Sequence, residues 1–282
     1  MTKLDGKAVL VTGSTDGVGR RVAIRLGEAG ANVLVHGRDQ DRGRSVVADI
    51  KAAGGTANFL AADFASLAEV RGLVDTILET EPRLDILINN AGIGTAGVTR
   101  LESADGYELR FAVNYLSGFL LTHLLLPLLR HGGPAQIVNV ASAGQQAIDF
   151  DDLMLEHGFS GSRAYCQSKL AHIMFTIDLA QELAGSEIVV NALHPATYMD
   201  TTMVRRAGVT PMSTVEEGAA AIVNLAVPPA GKRGSGRYFN GLSERRAHAQ
   251  AYDDAARRRL HAISRRLTGL AEGMNSSVQL GC

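Results

Sequence analysis

A tyrosine and a lysine lie four residues apart, at Tyr165 and Lys169, in a segment of helical period. That spacing puts both side chains on one face of a helix. A free phenol titrates at about 10, so a tyrosine serves as an acid or base at neutral pH only where its phenolate is stabilised, as a nearby ammonium does. The pair indicates proton transfer, although a helix also carries such a pair by chance.

Two further polar residues could serve the same chemistry. Ser142 lies two residues past a predicted strand, where its hydroxyl could donate to a substrate carbonyl and stabilise developing negative charge. Asn114 interrupts an apolar helical pattern, and a mid-helix asparagine is unfavourable unless its amide is satisfied or useful. Taken alone, Asn114 is interpreted as a satisfied buried polar residue.

A glycine-rich segment, TGSTDGVG at 12–19, follows the first predicted strand and precedes an apolar helical pattern. In this context glycines let the backbone turn sharply and approach a pyrophosphate, and the helix N-terminus directs free N–H groups at the anion. This favours a dinucleotide site over an ordinary Gly-rich turn. The predicted cofactor-binding residues of the segment are Gly13, Ser14, Thr15, Asp16, Gly17, Val18 and Gly19.

The end of the second predicted strand bears on which nicotinamide cofactor is bound. A carboxylate there accepts the ribose 2′-hydroxyl of NAD and repels a 2′-phosphate, whereas an arginine offers a fork of donors to phosphate. Arg38 therefore predicts NADP(H), unless it is an ordinary surface arginine. Asp39 is ambiguous, because it lies near the offset expected for a ribose-binding acid and could equally cap the next helix.

Polar or small residues also follow the third and fourth predicted strands. Asp63, followed by Phe64, could accept from an adenine amino group or cap a helix. Asn90, Ala91 and Gly92 could let the cofactor ribose approach the backbone, or could form a plain tight turn. Both groups fall at carboxyl ends of strands, where ligands bind in such sheets, which favours cofactor contacts.

Short apolar runs alternate with longer segments of helical period, which is typical of a parallel sheet with crossover helices. The sequence predicts an α/β fold: a single-domain Rossmann fold over 1–282, with a doubly wound parallel sheet of about seven strands and helices on both faces. The predicted strands are 8–12, 32–36, 56–61, 85–89, 136–140, 187–192 and 237–240. The predicted helices are 17–29, 41–53, 66–80, 105–130, 163–184 and 215–226, with an arginine-rich helix at 243–266 in a helical tail at 243–282.

Two long loops, at 143–162 and 195–214, break the alternation and would form the walls of a substrate pocket. The second could act as a mobile lid. Their side chains suggest a bulky apolar or aromatic compound, although core or lid packing is the alternative for each. The candidate lining residues are Gln145, Phe150, Tyr198, Met199, Met203 and Met212.

Composition narrows the class of protein. In 282 residues, 28 basic and 29 acidic side chains leave a formal charge of -1, which disfavours nucleic-acid and anionic-membrane partners. Cys166 and Cys282 are too few for a disulfide framework, and no metal-site spacing is present, so no metal is expected. No basic-then-apolar leader precedes the first strand, and the apolar stretch 119–129 is short and interrupted. We expect a soluble, cytoplasmic protein.

Together these motifs resemble those of the short-chain dehydrogenases/reductases, in sequence order TGxxxGxG at 12–19, NNAG at 89–92, Asn114, Ser142 and YxxxK at 165–169. The resemblance implies that Tyr165 is the acid/base, and that Lys169 lowers its pKa and binds the nicotinamide ribose. It implies that Ser142 orients the substrate carbonyl and that Asn114 holds a water in a proton relay. Hydride transfer at nicotinamide C4 is also implied.

Within that family the chain is most similar to the retinol-dehydrogenase-like, NADP-preferring branch, on Arg38, the DFDDL loop at 149–153, RAY at 163–165 and QSKLA at 167–171. The family's Pro-Gly after the sixth strand is Pro195-Ala196 here. Backbone at this strand end should still hold the nicotinamide amide, so Pro195 and Thr197 are cofactor candidates ahead of Thr201. Retinoid activity does not follow, because substrate pockets are built from divergent loops.

The sequence thus predicts an NADP(H)-dependent oxidoreductase acting on a carbonyl or secondary alcohol of a bulky apolar or aromatic small molecule. The alternative is an NADP-binding regulatory or scaffold protein without turnover, which would be expected to have lost Tyr165 or Lys169. Epimerase or dehydratase chemistry with retained NAD is disfavoured by Arg38. Apolar helices at 105–130 and 163–184 resemble those that pair in family dimers, so a homodimer or homotetramer is a candidate assembly unless the loop before Tyr165 covers that face.

Overall fold

The computed structural model describes residues 3–227 and 234–270. Within these residues one sheet contains eight strands, of which seven are parallel and the last is antiparallel. The strands are β1 Ala8–Val11, β2 Asn32–Gly37, β3 Thr56–Ala61, β4 Ile86–Asn89, β5 Ala135–Val140, β6 Ile188–His194, β7 Arg237–Asn240 and β8 Ser243–Arg245. Their spatial order is β3-β2-β1-β4-β5-β6-β7-β8. The predicted α/β Rossmann fold is confirmed.

The order of strands reverses between β1 and β4, and ligands of doubly wound sheets bind at such a switch point. The helices are α1 Gly17–Glu28, α2 Gln40–Ala52, α3 Leu67–Thr80, α4 Leu109–Phe111, α5 Ser117–His131, α6 Gly161–Glu182, α7 Thr202–Arg206, α8 Val215–Ala226 and α9 Asp254–Thr268. One apolar core lies between the sheet and α3, α5, α6 and α9, and a second between the sheet and α1, α2 and α8. Both faces of the sheet are therefore buried, which explains the continuous apolar strands.

Side-chain caps determine where the helices nearest the strand ends begin. The Asp16 carboxylate accepts from the Gly17 N–H at the start of α1, and Asp39 caps α2. Ser66 and Ser160 cap α3 and α6 in the same way. Each cap satisfies N–H groups that have no partner inside the helix. Of the two interpretations given for Asp39, the structure shows the helix cap.

Two predicted helix starts are wrong. The helix expected from 105 begins at Leu109, because Gly106 adopts a positive φ of 80° and a bridge joins Glu102 to Glu108. The helix expected from 243 begins at Asp254, where Asp253 caps it, and 243–245 is instead the antiparallel strand β8. All three residues of β8 are exposed, so no apolar pattern revealed the eighth strand. The predicted tail at 271–282, with Cys282, lies outside the described residues.

The segment Leu109–His131 is long and apolar enough, by length and composition, to cross a membrane, but 78% of its most apolar window is buried inside the fold. It contains a π-helical turn, Ala112–Leu116, and continues as α5 in the core beside α3. In this fold the segment is a core helix. The cytoplasmic location stays a prediction.

The last described helix, α9, covers part of the face on which pairing was predicted. It packs against α6, and a 2.7 Å hydrogen bond joins the Tyr115 and Ser264 hydroxyls. The buried Arg257 of α9 also pairs with Asp178 of α6 at 2.6 Å. The homodimer or homotetramer stays a prediction, and part of its expected interface is occupied by this helix.

Candidate active site

Tyr165 and Lys169 lie one turn apart on α6, as predicted. The Lys169 ammonium nitrogen lies 5.9 Å from the centroid of the Tyr165 ring and donates to the Val140 carbonyl, at the end of β5, at 2.8 Å. Burial lowers the pKa of Lys169 to about 8. The ammonium is therefore still largely protonated at neutral pH, in a place that water does not reach.

Burial has the largest effect on the pKa of the Tyr165 phenol, and Ser142 has the second largest. Burial raises its pKa, and a hydrogen bond with the Ser142 side chain lowers it in part. The neighbouring Cys166 thiol and Tyr198 phenol act in the raising direction. That Lys169 lowers the pKa of Tyr165 stays a prediction.

Ser142 lies two residues after the end of β5 and is buried. Its hydroxyl oxygen accepts from the Gly144 N–H at 3.0 Å, which leaves its own proton free for Tyr165 or a substrate oxygen. A Cβ on Gly144 would lie 3.4 Å from the Cys166 sulfur and 3.5 Å from the Ser142 hydroxyl oxygen. The structure thus brings Ser142 and Tyr165 together beside Gly144, where a Cβ would make ordinary contacts with both side chains.

Asn114 lies in the π-helical turn and is 1% exposed. Its amide oxygen accepts from the Ile93 N–H at 2.7 Å, and its amide nitrogen donates to the Ile93 carbonyl and, at 2.9 Å, to the Ser168 hydroxyl. The hydrogen-bonding atoms of the Asn114 amide are therefore satisfied, as predicted for Asn114 taken alone. A Cβ on Gly92 would lie 3.2 Å from its amide oxygen and 3.4 Å from the Lys169 nitrogen, so Asn114 also borders the catalytic candidates. π-helical turns are frequent at functional sites.

The glycine-rich loop and the turn after β4 pack backbone against backbone. Gly13 has a positive φ of 62°, and a Cβ there would lie 2.7 Å from the Ala91 α-carbon. A Cβ on Gly19 would collide with the Gly13 carbonyl oxygen and the Asn90 amide. Asn90 donates to the Thr12 carbonyl at 2.8 Å and to the Gly13 carbonyl at 3.0 Å. We call this arrangement, the loop at 12–19 packed on the turn at 89–92 at the carboxyl ends of β1 and β4, the cradle.

Ser14 and the buried His36 of β2 hold the cradle from behind. The Ser14 hydroxyl accepts from the His36 N–H at 2.9 Å and donates to the Val11 carbonyl at 2.7 Å. The Nδ1 atom of His36 accepts from the Gly13 N–H at 3.1 Å, and burial lowers its pKa to about 4. The ring is therefore neutral, with its proton on Nε2, 3.2 Å from the Ala62 carbonyl. Phe64 stacks on it with centroids 4.2 Å apart.

Charged side chains surround the end of β2. Arg38 pairs with Asp63 at 3.3 Å, and Arg42, on the first turn of α2, pairs with Asp16 and with Asp39 at 3.3 Å each. Asp63 does not cap α3, and its second oxygen accepts from the Ala65 N–H. Two arginines thus follow the end of β2, where one was predicted to bind the cofactor.

The loop at 195–214 lies over the cradle and includes α7. The Thr201 methyl would lie 3.3 Å from a Cβ on Gly17, and the Met203 side chain is against Gly94. The Met199 side chain packs on Gly218 of α8, where Val18 also lies close. Pro195 is buried, and the Thr197 hydroxyl lies 3.1 Å from His194 Nε2. Tyr198 is half exposed at a positive φ of 43°, whereas Met212 is 73% exposed and its N–H donates to the Tyr198 carbonyl at 2.9 Å.

The loop at 143–160 uses its candidate residues for internal contacts. The Gln145 amide donates to the Ser142 carbonyl at 2.9 Å and accepts from the His248 N–H at 2.7 Å. The Phe150 ring packs on the core under the Arg259 guanidinium, 5.0 Å from its centroid. Substrate contacts by these two residues stay predictions.

A family model described as short chain dehydrogenase matches residues 7–210, more than half of the chain. The chain belongs to the short-chain dehydrogenase family. The resemblance stated from the motifs is confirmed. Short-chain dehydrogenases are oxidoreductases that bind a nicotinamide cofactor, NAD or NADP, and act on small molecules.

Relatives of this short-chain dehydrogenase cover nearly its whole length. Homo sapiens retinol dehydrogenase 13 is 38% identical over 289 residues, covering 95% of this chain and 86% of that protein. Mus musculus polyprenol dehydrogenase is 37% identical over 294 residues, covering 97% and 87%. The solved Pseudomonas aeruginosa RhlG/NADP active-site complex has a TM-score of 0.69 at 32% identity, covering 84% and 95%. Similarity to the retinol-dehydrogenase-like branch is confirmed.

Three residues at the site of this short-chain dehydrogenase were not predicted. Arg42 could have been noticed as a second basic residue one turn beyond Arg38. His36 lies within a buried strand, and nothing in the sequence indicated its contacts with Gly13 and Ser14. Tyr238, whose hydroxyl donates to the Ser142 carbonyl at 3.0 Å, gave no signal, because the two residues are 96 positions apart in the sequence.

Proposed function

We propose that this protein is an NADP(H)-dependent oxidoreductase that interconverts a carbonyl and an alcohol on a bulky apolar or aromatic small molecule, with Tyr165 as acid/base. The convergence of Ser142, Tyr165 and Lys169 beside Gly144 and Gly92 carries the proposal. A scaffold protein has no use for a buried ammonium next to a buried phenol, because burying each group is costly.

The residues present fit a dinucleotide. A Cβ on Gly13 would collide with Ala91, and one on Gly19 with the Gly13 carbonyl and the Asn90 amide, so the cradle presents bare backbone, which lets a pyrophosphate approach closely. The N-terminus of α1 opens onto this cradle and favours an anion such as a pyrophosphate. Asp63 and Phe64 would lie at the adenine end, and Pro195 and Thr197 at the nicotinamide end.

A 2′-phosphate is the ligand group that best explains Arg38 and Arg42. Both side chains are more than half exposed, and each makes ion pairs no closer than 3.3 Å, so donors remain for a phosphate. Asp39 uses one carboxylate oxygen to cap α2, which removes the main argument for ribose recognition in the manner of NAD. These contacts support NADP(H) over NAD(H).

In the proposed reaction each side chain moves or stabilises charge at one atom. The bound nicotinamide supplies or removes the hydride at the substrate carbon. The Ser142 hydroxyl donates to the substrate oxygen, and the Tyr165 hydroxyl gives its proton to that oxygen in reduction or accepts it in oxidation. The Lys169 ammonium stabilises the phenolate that remains. The loop at 195–214 excludes water above them.

The names of the relatives narrow the substrate class. Retinol and polyprenol, named for two relatives, are both isoprenoid alcohols with an apolar chain. The side chains of Tyr198, Met199 and Met203 in the covering loop would suit such a chain, since methionine adapts to irregular apolar surfaces. These features support a bulky apolar alcohol or its carbonyl form.

The proposal is tested by following NADPH absorbance with a panel of bulky ketones, aldehydes, retinoids and polyprenals, with NADH in parallel. We expect consumption of NADPH with an apolar carbonyl, and a lower KM for NADPH than for NADH. Tight NADPH binding without consumption on every compound would favour the regulatory or scaffold alternative. Equal KM values for both cofactors would remove the role given to the two arginines.

A further inference from the structure

Tyr238 lies on β7, outside the residues matched by the family model, and touches the catalytic candidates from behind. Its side chain is 5% exposed, and its hydroxyl donates to the Ser142 carbonyl at 3.0 Å. Burial raises the pKa of Tyr238 to about 12, so this phenol keeps its proton over the whole working range of pH. It is a permanent donor to the backbone of the serine.

We infer that Tyr238 is a positioning residue, which fixes the peptide of Ser142 and so aims the serine hydroxyl at Tyr165. This inference rests on the oxidoreductase function proposed above. Tyr238 touches neither a substrate nor a cofactor in this role, because its hydroxyl is committed to a backbone carbonyl.

The Ser142 carbonyl is held from two sides. Tyr238 donates from β7, and the Gln145 amide nitrogen donates at 2.9 Å from the following loop. Gln145 is in turn held by the His248 N–H at 2.7 Å. A carbonyl with two donors has both lone pairs occupied, so the plane of the peptide after Ser142 cannot rotate without losing a bond.

Fixing that peptide also fixes the direction of the serine proton. The Gly144 N–H donates to the Ser142 hydroxyl oxygen at 3.0 Å, and this contact exists only while the chain at 142–144 keeps its present turn. With one lone pair used, the hydroxyl proton points at the Tyr165 phenol. Loss of the Tyr238 donor loosens the turn and, through it, the contact between serine and tyrosine.

The groups that face the Tyr165 phenol are Ser142, Cys166, Tyr198 and Tyr238, with Lys169 one turn along α6. Several groups shift the pKa of Tyr165, and of these only Ser142 lowers it. A looser serine contact therefore raises the pKa of Tyr165 and moves the pH profile of kcat/KM to higher pH.

The test uses Tyr238→Phe, which keeps the ring and removes the hydroxyl. The matched control is Tyr107→Phe, since the Tyr107 hydroxyl also donates to a backbone carbonyl, that of Leu267 at 2.9 Å. In Tyr238→Phe we expect kcat to fall by about two- to tenfold, the rate equivalent of one net hydrogen bond, with the KM for NADPH unchanged and the pH profile displaced upward. In the Ser142→Ala background the same change should have no further effect on kcat.

Hydrogen exchange provides a readout that needs no turnover. The peptide containing Gly144 should exchange faster in Tyr238→Phe than in the wild type or in Tyr107→Phe. Unchanged exchange there, or an equal loss of kcat in the Ser142→Ala background, overturns the positioning role. If the wild type turns over no substrate, the proposed function fails, and the exchange result still decides whether Tyr238 holds the serine turn.

Discussion

The two ends of the proposed cofactor cleft hold their positive charges in opposite ways. Lys169 is 4% exposed, donates to one backbone carbonyl at 2.8 Å and has its pKa lowered by burial to about 8. The side chains of Arg38 and Arg42 are 66% and 55% exposed and form ion pairs of 3.3 Å. Our proposal has the buried ammonium stabilise the Tyr165 phenolate during the reaction, and has the exposed guanidinium groups exchange an aspartate for a phosphate. In the proposed function, the buried end transfers the proton and the exposed end selects between the two cofactors.

The largest effect is expected at the buried end. Tyr165→Phe removes the acid/base, so kcat should fall by about 100-fold or more. The dissociation constant of NADPH, measured by its fluorescence, should change little, because the ring and Lys169 remain. A variant that retains most of the wild-type kcat would remove Tyr165 from the proton transfer.

Burial of Lys169 predicts a pH-dependent stability. Its pKa is lowered from 10.5 to about 8, so below pH 8 both the folded and unfolded states carry its proton, and burying the charge costs about 3 kcal/mol at most. Between about pH 8 and about 10.5 the unfolded chain holds more protons, so the free energy of unfolding contributed by this group rises with pH.

This rise can be isolated with Lys169→Met, which does not titrate. Urea unfolding at several pH values should show the wild type gaining up to about 3 kcal/mol relative to Lys169→Met between neutral pH and about pH 10. Lys51→Met, at an exposed lysine near the end of α2, serves as the control and should run parallel to the wild type. A constant difference between wild type and Lys169→Met would show that the buried ammonium is not destabilised.

The exposed end should govern cofactor choice alone. Arg38→Ala and Arg42→Ala should each raise the KM for NADPH by about fivefold to tenfold, as expected for loss of a charge-assisted hydrogen bond, and leave kcat and the KM for NADH unchanged. Arg44→Ala is the matched control, because Arg44 lies on the same helix and pairs with Asp41. An NADPH KM that is the same in all three variants would refute the double-arginine site.

The smallest expected effect is that of salt, which should change cofactor binding at the exposed end and leave kcat at the buried end unchanged. Raising ionic strength from about 0.05 M to about 0.5 M shortens the screening length, so the KM for NADPH should rise about two- to fivefold more than that for NADH. The excess should vanish in a variant lacking both Arg38 and Arg42, while kcat stays constant. An equal salt response of both cofactors would place the 2′-phosphate away from these arginines.

Sequence patterns predicted the placement of the candidate residues best where local spacing alone determines it. The loop at 12–19, Ser142 and the Tyr165–Lys169 pair each follow from local spacing and from the alternation that indicates a parallel sheet. Contacts between distant segments could not be predicted, because nothing local to Ser142 indicates that Tyr238 lies behind it. The contact between Gln145 and His248 could not be predicted for the same reason, since the two residues are 103 positions apart.

Helix boundaries were misjudged where a turn overrode periodicity. The helical pattern continued through 105–108, yet Gly106 and the bridge at Glu102 keep this stretch out of the helix. After 243 the arginine-rich composition resembled one long helix, but the turn at Gly241 pairs β8 with β7 first. In both places a turn and a backbone pairing replaced the helix that side-chain pattern alone favoured.

The most direct test of the central claim is transfer of deuterium to a carbonyl substrate from NADPH that carries deuterium at both C4 positions of the nicotinamide, so that either face can deliver the label. Mass spectrometry of the product should show one deuterium on the carbinol carbon with the wild type, and almost none with Tyr165→Phe at equal NADPH occupancy. NADPH that binds fully and delivers no deuterium to any apolar carbonyl would contradict the claim that this cleft performs hydride and proton transfer.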